Sequence, residues 1–496
     1  MKQPDRLFLL IKSLTKNEKI YFKRYSEKVD NNYLLFDAIL QQQEYDEKLL
    51  INSIGKQKFG KQFRMAKSRL FYAILKSLQD YYYIDSANNT TKHVLQHIEI
   101  FYKRALYEPC LKIISQAKKK LYEINDAEDV SLLELIRWEQ RLCIMQNRGF
   151  EKTGKSLALL KEEAKLALEK YNNSWQMRFL LDEILVISSK NVIDFDRKAV
   201  EKLIRNPLVQ REKNALSPKA RFWFHYFWCT YHHLMENEQA AIKSNQNAIK
   251  ITEENHVITK RAPDLYLSAY TNLALQYYVQ KKYKKTLAAI REIKTFPAET
   301  QHLKLLKLKT IYLYELMSYN SIGDFKSAVG LVENIDKNLK EYAEKLPPGI
   351  LMIFYNQIAY AFFGNEEYKE SFKRTNKVLT FPSKGVREDI YNFSTLFYLI
   401  ICFELGYDDL LISKMRSLQR LYKRKKAHYS TGILFTTFLN KIYHEKNSDK
   451  KKKLFMDLKA GLMTSKSSSP LSNIIKWVES KITGRRFASI IKAAEH

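Results

Sequence analysis

Glycine and proline are scarce in this chain. Only 13 glycines and 10 prolines occur among its 496 residues, whereas the two types together average about 12% of a globular protein. Tight turns depend on them, because glycine tolerates positive φ and proline presets the first turn position. A fold rich in β-hairpins is therefore excluded. Lysine, leucine, glutamate and alanine, which favour helices, are abundant, and the composition predicts an all-α protein.

Cysteine is also rare, with four residues and no Cys-x-x-Cys spacing. Each cysteine lies in an apolar helical stretch, where a thiol behaves as a small buried hydrophobe, and this usage fits a reducing compartment. His93 and His97 are four residues apart and would share a helix face. Residue 94 is Val94, and no third ligand is evident. The sequence predicts neither a metal site nor a cofactor.

Long apolar runs are missing as well. The longest, Leu396 to Phe403, has eight residues, and a membrane span needs about 20. The opening run Leu7 to Ile11 is too short for the core of a signal peptide. We expect no membrane span and a cytoplasmic location.

Catalytic motifs are absent from the sequence. It contains no Gly-x-x-x-x-Gly-Lys-Ser/Thr phosphate loop, no Gly-x-Gly-x-x-Gly turn and no Gly-x-Ser-x-Gly elbow. No catalytic residue is predicted, and we expect a protein that is not an enzyme.

One local pattern recurs along the chain: an apolar helix, a small or polar residue, an aromatic or acidic residue, and a second apolar helix. In the clearest copy, Gly323 can take the positive φ that ends a helix, and Asp324 can cap the next one. Phe325 is expected to pack into the hairpin, and Ala328 is small enough to let the two helices approach. Eight such junctions are spaced 41 to 45 residues apart, at Tyr107, Phe150, Phe195, Gln239, Tyr283, Phe325, Tyr368 and Asp409.

Each interval is expected to hold the second helix of one hairpin and the first helix of the next. Thr295-Phe296-Pro297 and Thr380-Phe381-Pro382 are the same tripeptide two periods apart, and proline there is expected to stop the second helix. The residues predicted to form the junctions are Gly149, Phe150, Tyr283, Gly323, Asp324, Phe325, Ala328, Tyr368 and Gly406.

The Gly-Asp-x-x-x-Ala junction at Gly323 to Ala328 and the two-helix unit resemble tetratricopeptide repeats over about residues 90–440. The family's period is 34 residues, whereas here it is near 43, and most units lack its early Trp-x-x-Leu-Gly signature. The resemblance implies a right-handed α-solenoid of helix hairpins whose first helices line a concave face. We expect an N-terminal helical cap (1–90), a repeat array (91–440) and a basic C-terminal helical cap (441–496).

The opening segment, from Leu7 to Arg24, resembles the start of uncharacterised helical-repeat proteins of Bacteroidota, a resemblance that supplies no activity. We expect helices near 5–13, 16–28, 32–43 and 61–83. A solenoid needs a cap over its first open face. The alternative is a helix-turn-helix that binds DNA, and its third helix would present Lys61, Arg64, Lys67 and Arg69. At the other end, helices are expected near 450–463 and 470–483, and ordered structure is expected to end at Gly484 to Arg486.

Positive charge is in excess: 84 lysines and arginines face 54 acidic residues, for a net charge of +30. About half of that excess lies between Lys414 and His496. Such a field attracts nucleic acid, acidic protein surfaces or anionic lipid. The predicted polyanion patch consists of Lys423, Arg424, Lys425, Lys426, Lys450, Lys451, Lys452 and Lys453. The alternative is a solvated helix end whose cations complement the dipole.

Tyrosine (32 residues) and phenylalanine (27 residues) are plentiful, and most are expected to fill helix interfaces. Several first helices carry more tyrosines than one buried stripe requires, and tyrosine suits recognition because it offers a large contact area with few rotatable bonds. The predicted groove residues are Tyr277, Tyr278, Tyr312, Tyr314, Tyr355 and Tyr391.

We therefore expect a scaffold or adaptor that binds an acidic protein or peptide partner in the groove of the array. The alternative is a protein that binds RNA or DNA through its basic C-terminal segment. An enzyme with a novel active site on a helical scaffold is the third class.

Overall fold

The protein is all-α in the part of the chain that can be described. The computed structural model describes residues 5–26, 32–54, 63–83, 87–124, 130–146, 150–189, 196–298, 300–382, 387–424, 430–464 and 469–494. Every regular element within these ranges is a helix, and none of them is a strand. The predicted all-α class is confirmed. The chain forms two compact units, Met1–Asn172 and Asn173–His496. The predicted division into two caps and an array stays a prediction.

The first unit contains eight helices and the start of a ninth among its described residues. They are α1 (Arg6–Ser13), α2 (Lys16–Ser26), α3 (Asn32–Gln41), α4 (Glu47–Ile54), α5 (Phe63–Tyr83), α6 (Ala87–Lys103), α7 (Tyr107–Ile124), α8 (Ser131–Gln146) and α9 (Phe150–Ser189). Asp5 caps α1 by accepting hydrogen bonds from two backbone N–H groups. Thr15 and Glu18 form a reciprocal capping box at the start of α2. The sequence predicted four of the first five helices and missed α4.

Helix α9 departs from the expected hairpin pattern. The junctions at Phe150 and Phe195 predict a helix boundary between them, but the chain runs as one 40-residue helix. The prediction is wrong because residues 155–189 contain no glycine and no proline, so nothing in their backbone chemistry breaks the helix. The boundary between the two compact units falls inside α9.

The second unit continues with a long series of helices. They are α10 (Arg197–Ile204), α11 (Pro207–Gln210), α12 (Pro218–Leu234), α13 (Glu238–Glu254), α14 (His256–Arg261), α15 (Pro263–Val279), α16 (Tyr283–Thr295), α17 (Gln301–Ser321), α18 (Phe325–Gly330), α19 (Val332–Tyr342), α20 (Pro348–Gly364), α21 (Tyr368–Leu379), α22 (Glu388–Leu405), α23 (Asp408–Arg424), α24 (Ser430–His444), α25 (Ser448–Thr464), α26 (Ser469–Thr483) and α27 (Phe487–Ala493). Short 3₁₀ turns lie at Glu212–Asn214 and Ala343–Lys345.

Six hairpins share one turn geometry. The first helix ends with a single residue in the left-handed region, and the second helix begins two residues later. The N–H that follows the left-handed residue donates to the carbonyl five residues back, at 2.8–2.9 Å. This is the Schellman arrangement, which satisfies carbonyls at a helix end. The six left-handed residues are Ala105, Glu236, Lys281, Gly323, Glu366 and Gly406.

The predicted junctions coincide with these turns wherever both are described. Four second helices begin at the predicted aromatic: Tyr107, Tyr283, Phe325 and Tyr368. Two others begin one residue before the predicted position, at Glu238 and Asp408. Phe150 is the first residue of α9, and its side chain is not described. Gly149 and Phe195 lie outside the described residues. The two Thr-Phe-Pro tripeptides lie at helix ends, as predicted: Thr295 is the last residue of α16, and Thr380 follows the last residue of α21.

The clearest junction has the chemistry expected of it. Gly323 has φ +73°, and the Asp324 side chain accepts a hydrogen bond from the Ser327 N–H at 3.3 Å. Phe325 and Ala328 are buried. The Phe325 ring occupies the space left by Gly364, where an added Cβ would lie 2.3 Å from ring carbons.

Three other junction aromatics contact a ring five residues earlier in the chain. The pairs are Tyr102–Tyr107 at 5.8 Å, Tyr278–Tyr283 at 5.5 Å and Phe363–Tyr368 at 5.2 Å between ring centroids. Each pair spans the turn, so the aromatic at the start of the second helix packs on the end of the first. This contact explains why an aromatic recurs at the junctions.

Hairpins in the second unit pack in chain order. Helices α12 and α13, α15 and α16, and α20 and α21 pair within their hairpins, while α15 also packs on α17, α17 on α20, and α20 on α22. From α15 to α22, each first helix therefore packs beside the first helix of the next hairpin. After α23, each helix packs on the one that follows it, up to α27.

The chain remains ordered beyond residue 486. We expected ordered structure to end at Gly484 to Arg486, but Phe487–Ala493 forms a further helix with buried side chains. That expectation is wrong because Phe487 and Ile491 pack on the hydrophobic core of this unit, and Ile490 is buried beside them.

Candidate functional site

The first helices of the second unit are joined side to side by polar side chains. A hydrogen bond links each first helix to the next from α12 to α22, through residues 37 to 46 positions apart. The pairs are Tyr226–Asn272 at 2.6 Å, Thr271–Thr310 at 3.0 Å, Asn320–Gln357 at 2.9 Å and Asn356–Ser394 at 3.0 Å. We call this set the polar ladder.

The polar ladder fixes the register of neighbouring helices. Thr310, Asn320 and Ser394 are buried, and a buried polar group costs free energy unless it finds a partner. Sliding one first helix past the next would break such a pair, whereas purely apolar contacts would tolerate the shift. The ladder therefore holds the first helices from α12 to α22 in one row.

Two of the predicted groove tyrosines come together in this row. Tyr278 and Tyr314 have ring centroids 6.4 Å apart, and the Tyr278 hydroxyl lies 3.1 Å from the Ser321 hydroxyl. Burial, with the neighbouring Tyr278, raises the pKa of Tyr314 to about 12. Both side chains are half-buried. They belong to the contact between α15 and α17 and still present part of their surface to solvent.

The other four predicted tyrosines lie apart from this pair. Tyr277 is directed toward second helices, since its hydroxyl accepts a 3.3 Å hydrogen bond from Gln246 on α13. Tyr312 and Tyr355 pack around the hydrophobic cluster of α17 to α20. Tyr355 and Tyr391 both pack beside Val378. All four are half-buried, so none is a freely exposed ring.

The basic patch is described only in part. Lys450 to Lys453 lie in the first turns of α25, and all four are exposed. Asn447 caps that helix, accepting a 3.1 Å hydrogen bond from the Lys450 backbone N–H. Lys425 and Lys426 lie outside the described residues, and the side chains of Lys423 and Arg424 are not described.

The position of these four lysines is electrostatically unfavourable. A helix N-terminus carries a partial positive charge that repels cations. The explanation that the cations complement the dipole is therefore wrong for this run. None of the ion pairs found among the described residues includes them, although Glu445, just before the helix, interacts with the charges of Lys450 and Lys451.

The helix-turn-helix alternative loses one of its predicted DNA contacts. The Lys67 ammonium lies 2.7 Å from Asp5 and 2.9 Å from Glu47, and it donates to the Tyr45 hydroxyl. Burial alone would lower the pKa of Lys67, but these hydrogen bonds outweigh burial and raise it. Lys67 thus ties α1, α4 and α5 together. Arg64 and Arg69 are exposed, and Lys61 lies outside the described residues.

A depression of about 630 Å³ lies in the first unit. The Lys118 ammonium is 2.7 Å from both Glu139 and Glu163, and the Tyr122 hydroxyl donates to Glu163. The Lys118 ammonium bridges the two carboxylates, and the cluster connects α7, α8 and α9. Sequence analysis missed it, because its members are 21 and 45 residues apart and no local motif marks them.

An apolar stripe on α9 was also missed. Trp175, Phe179 and Val186 share one helix face and are 40%, 55% and 60% exposed. Trp175 and Phe179 have ring centroids 5.6 Å apart. The helix has apolar residues on more than one side, so periodicity alone could not tell which stripe is buried.

The described residues include no group of three or more histidine, cysteine or acidic side chains placed to hold a metal ion. Within the same ranges, no helix has both the length and the apolar character needed to cross a bilayer. No protein-family model, no curated protein and no solved structure matches this chain. The resemblance to tetratricopeptide repeats therefore rests on the residues alone.

Proposed function

We propose that this protein is a non-enzymatic scaffold that binds an acidic protein or peptide partner along the row of first helices in its second unit. The hairpins would form a right-handed, tetratricopeptide-like solenoid with a period near 43 residues. The observation that carries the proposal is the polar ladder, because helices held side by side in register form a long continuous face. Repeat proteins use such faces for binding.

Charge and chemistry support the same proposal. The net charge of +30 favours an acidic partner. Tyr278 and Tyr314 offer rigid, half-exposed rings with polar tips, a side-chain type enriched where binding energy concentrates.

Site-directed photocrosslinking tests the binding face. p-Benzoylphenylalanine is placed at position 278 on first helix α15 or, as the control, at position 284 on second helix α16, where Lys284 is exposed. We expect position 278 to yield a defined crosslinked partner in native lysate and position 284 to yield much less. Equal crosslinking at the two positions would contradict a binding face on the first helices.

The partner found in this way is then purified, and its affinity is measured by titration. Tyr278→Ala should weaken binding about tenfold, as loss of an interface tyrosine commonly does. Tyr278→Phe, which keeps the ring, should stay within about threefold of the original affinity. Lys284→Ala is the matched control. Circular dichroism verifies that each variant keeps its helix content.

A second candidate function is polyanion binding through α25. Lys450 to Lys453 favour it, since these four exposed lysines outnumber the nearby acids Glu445 and Asp449 and lie at a helix N-terminus, which itself carries partial positive charge. Affinity for RNA should then fall steeply with salt. Replacing the four lysines with glutamine should weaken binding and flatten the salt dependence, and so should the same change at 423–426 if both runs contribute. Absorbance of the purified protein near 260 nm, before and after nuclease treatment, shows whether nucleic acid is bound at all.

A further inference from the structure

Helix α27 fills an aromatic groove on the second unit. Phe487 stacks on Phe325 with ring centroids 5.8 Å apart and an interplanar angle of 20°. It also meets the edges of Tyr360 at 5.9 Å and Phe363 at 5.4 Å. Ile490 and Ile491 are buried beside it. One short helix thus covers rings that belong to two different hairpins.

The groove lies at the turns of those hairpins. Phe325 follows the turn between α17 and α18, and Phe363 precedes the turn between α20 and α21. At the rim, the guanidinium of Arg486 lies 3.7 Å from the carboxylate of Glu366. Tyr360 and Phe363 lie on first helix α20, whereas Phe325 and Phe487 lie on α18 and α27; the occupancy of the groove by α27 does not depend on the scaffold proposal.

Gly323 makes room for α27. An added Cβ at this position would lie 2.9 Å from the Ala488 carbonyl oxygen and 3.2 Å from the Ile491 Cβ. Four of the six left-handed turn residues carry side chains, so the turn itself does not require glycine. Gly406 holds the same conformation with nothing within 4 Å. The glycine at 323 therefore serves the contact with α27.

Helix α27 depends on the groove for its structure. It has seven residues, and its first turn has no side-chain cap. An isolated helix of this length is not stable in water. Gly484, with φ +69°, and the exposed Arg485 and Arg486 connect it to α26. Loss of the groove contact would therefore unfold α27.

We propose that this groove is a docking site for a basic, amphipathic helical segment, and that α27 occupies it as a built-in competitor. The ligand it fits has an aromatic residue, two branched aliphatic residues three and four positions later, and an arginine just before the aromatic. A partner segment of this chemistry binds by displacing α27, and the release of α27 regulates access to the groove.

Hydrogen exchange on the full chain tests whether α27 docks through Gly323. In Gly323→Ala, amides of residues 487–493 should exchange at least about tenfold faster than in the original protein. Gly406→Ala is the matched control, because it places alanine at the same positive φ without touching α27. If both variants release α27 equally, or neither does, the docking role of Gly323 is overturned.

A peptide comprising residues 484–494, labelled with fluorescein, tests the ligand chemistry. The full-length double variant Phe487→Ala, Ile491→Ala should bind it, because the groove is vacated. The original chain should bind it at least about tenfold more weakly, since α27 competes. Peptide carrying Phe487→Ala should not bind. The proposal would be overturned if the two chains bound the peptide equally well, or if the folded double variant did not bind it. The proposal would also be overturned if light scattering showed that the original chain is a dimer in which each copy places α27 in the groove of the other.

Discussion

Replacing Gly364 with alanine gives a sharp test of how the hairpins pack. Gly364 is the last residue of α20, and it is buried. Helix propensity alone predicts a gain, because alanine is about 1 kcal/mol better than glycine inside a helix. The structure predicts the opposite sign. An added Cβ would lie 2.3–2.4 Å from three carbon atoms of the Phe325 ring.

The size of the effect follows from that overlap. Ordinary contacts of a Cβ begin near 3.4 Å, so the ring has to move by roughly 1 Å. Phe325 is 2% exposed, and it stacks on Phe487 on one side, so it cannot swing into solvent. Overpacking of this kind costs about 1–3 kcal/mol. Because the overlap is deep and the ring is enclosed, we take the upper end of that range, about 3 kcal/mol, and subtract the propensity gain of about 1 kcal/mol. We expect Gly364→Ala to destabilise the second unit by about 2 kcal/mol.

Urea unfolding followed by circular dichroism measures the change. The midpoint should fall by roughly 0.5–1 M, given a slope of about 3 kcal/mol per molar urea. Gly154→Ala is the control, because Gly154 is inside α9 with nothing within 4 Å, and it should be neutral or slightly stabilising. In the double variant Phe325→Leu, Gly364→Ala the two costs should not add, because the smaller side chain relieves the overlap. A stabilised Gly364→Ala variant would refute the argued contact between Gly364 and Phe325.

Three further predictions concern single side chains. Lys281→Gly should stabilise its hairpin by about 0.5–1 kcal/mol, because relief of positive φ (about 1–2 kcal/mol) exceeds the entropy that glycine adds to the unfolded chain; a lower thermal midpoint would contradict the turn geometry. Lys450→Glu should raise the stability of α25 by about 0.5–1 kcal/mol, because it completes a capping box with Asn447 and reverses an unfavourable charge, and it should also weaken any RNA binding measured by filter retention. Burial raises the pKa of Asp5, but hydrogen bonds from Lys67 and from the backbone outweigh burial and lower it below 3.8. The stabilisation is therefore present above pH 3.8 and is lost as the pH falls through the folded-state pKa. Thermal midpoints of Asp5→Asn should show a shallower decline below pH 4 than those of the original protein.

The sequence carried the class of the fold and, to within one residue, the starts of six second helices. Scarce glycine and proline indicated helices, and the aromatic junctions marked the starts of α16, α18 and α21 because those aromatics pack across the turn. Left-handed residues without glycine escaped prediction, since nothing in the side chain of Lys281 or Glu366 marks a positive φ. The unbroken α9 escaped for the opposite reason, because its sequence favours helix everywhere.

The candidate sites were less predictable, since they depend on residues brought together from distant positions. Six tyrosines were predicted as one groove, yet Tyr277 and Tyr278, adjacent in sequence, contact different neighbours: Gln246 on a second helix and Ser321 on the next first helix. A helix rotates by about 100° per residue, so consecutive side chains cannot share a face. The polar ladder was missed because each of its residues is an ordinary helix residue until its partner is known.

Residue separations suggest how the second unit holds together. Polar ladder contacts join residues 37 to 46 positions apart, and contacts limited to neighbouring hairpins allow one hairpin to open without the next. Helix α27 breaks that locality, because Phe487 touches rings on two hairpins more than 100 residues earlier in the chain. Docked α27 therefore reinforces the direct contact between α18 and α20, and its release weakens the coupling between their openings. A ligand that displaces α27 would free an aromatic groove and, by the same event, loosen the two hairpins that form it.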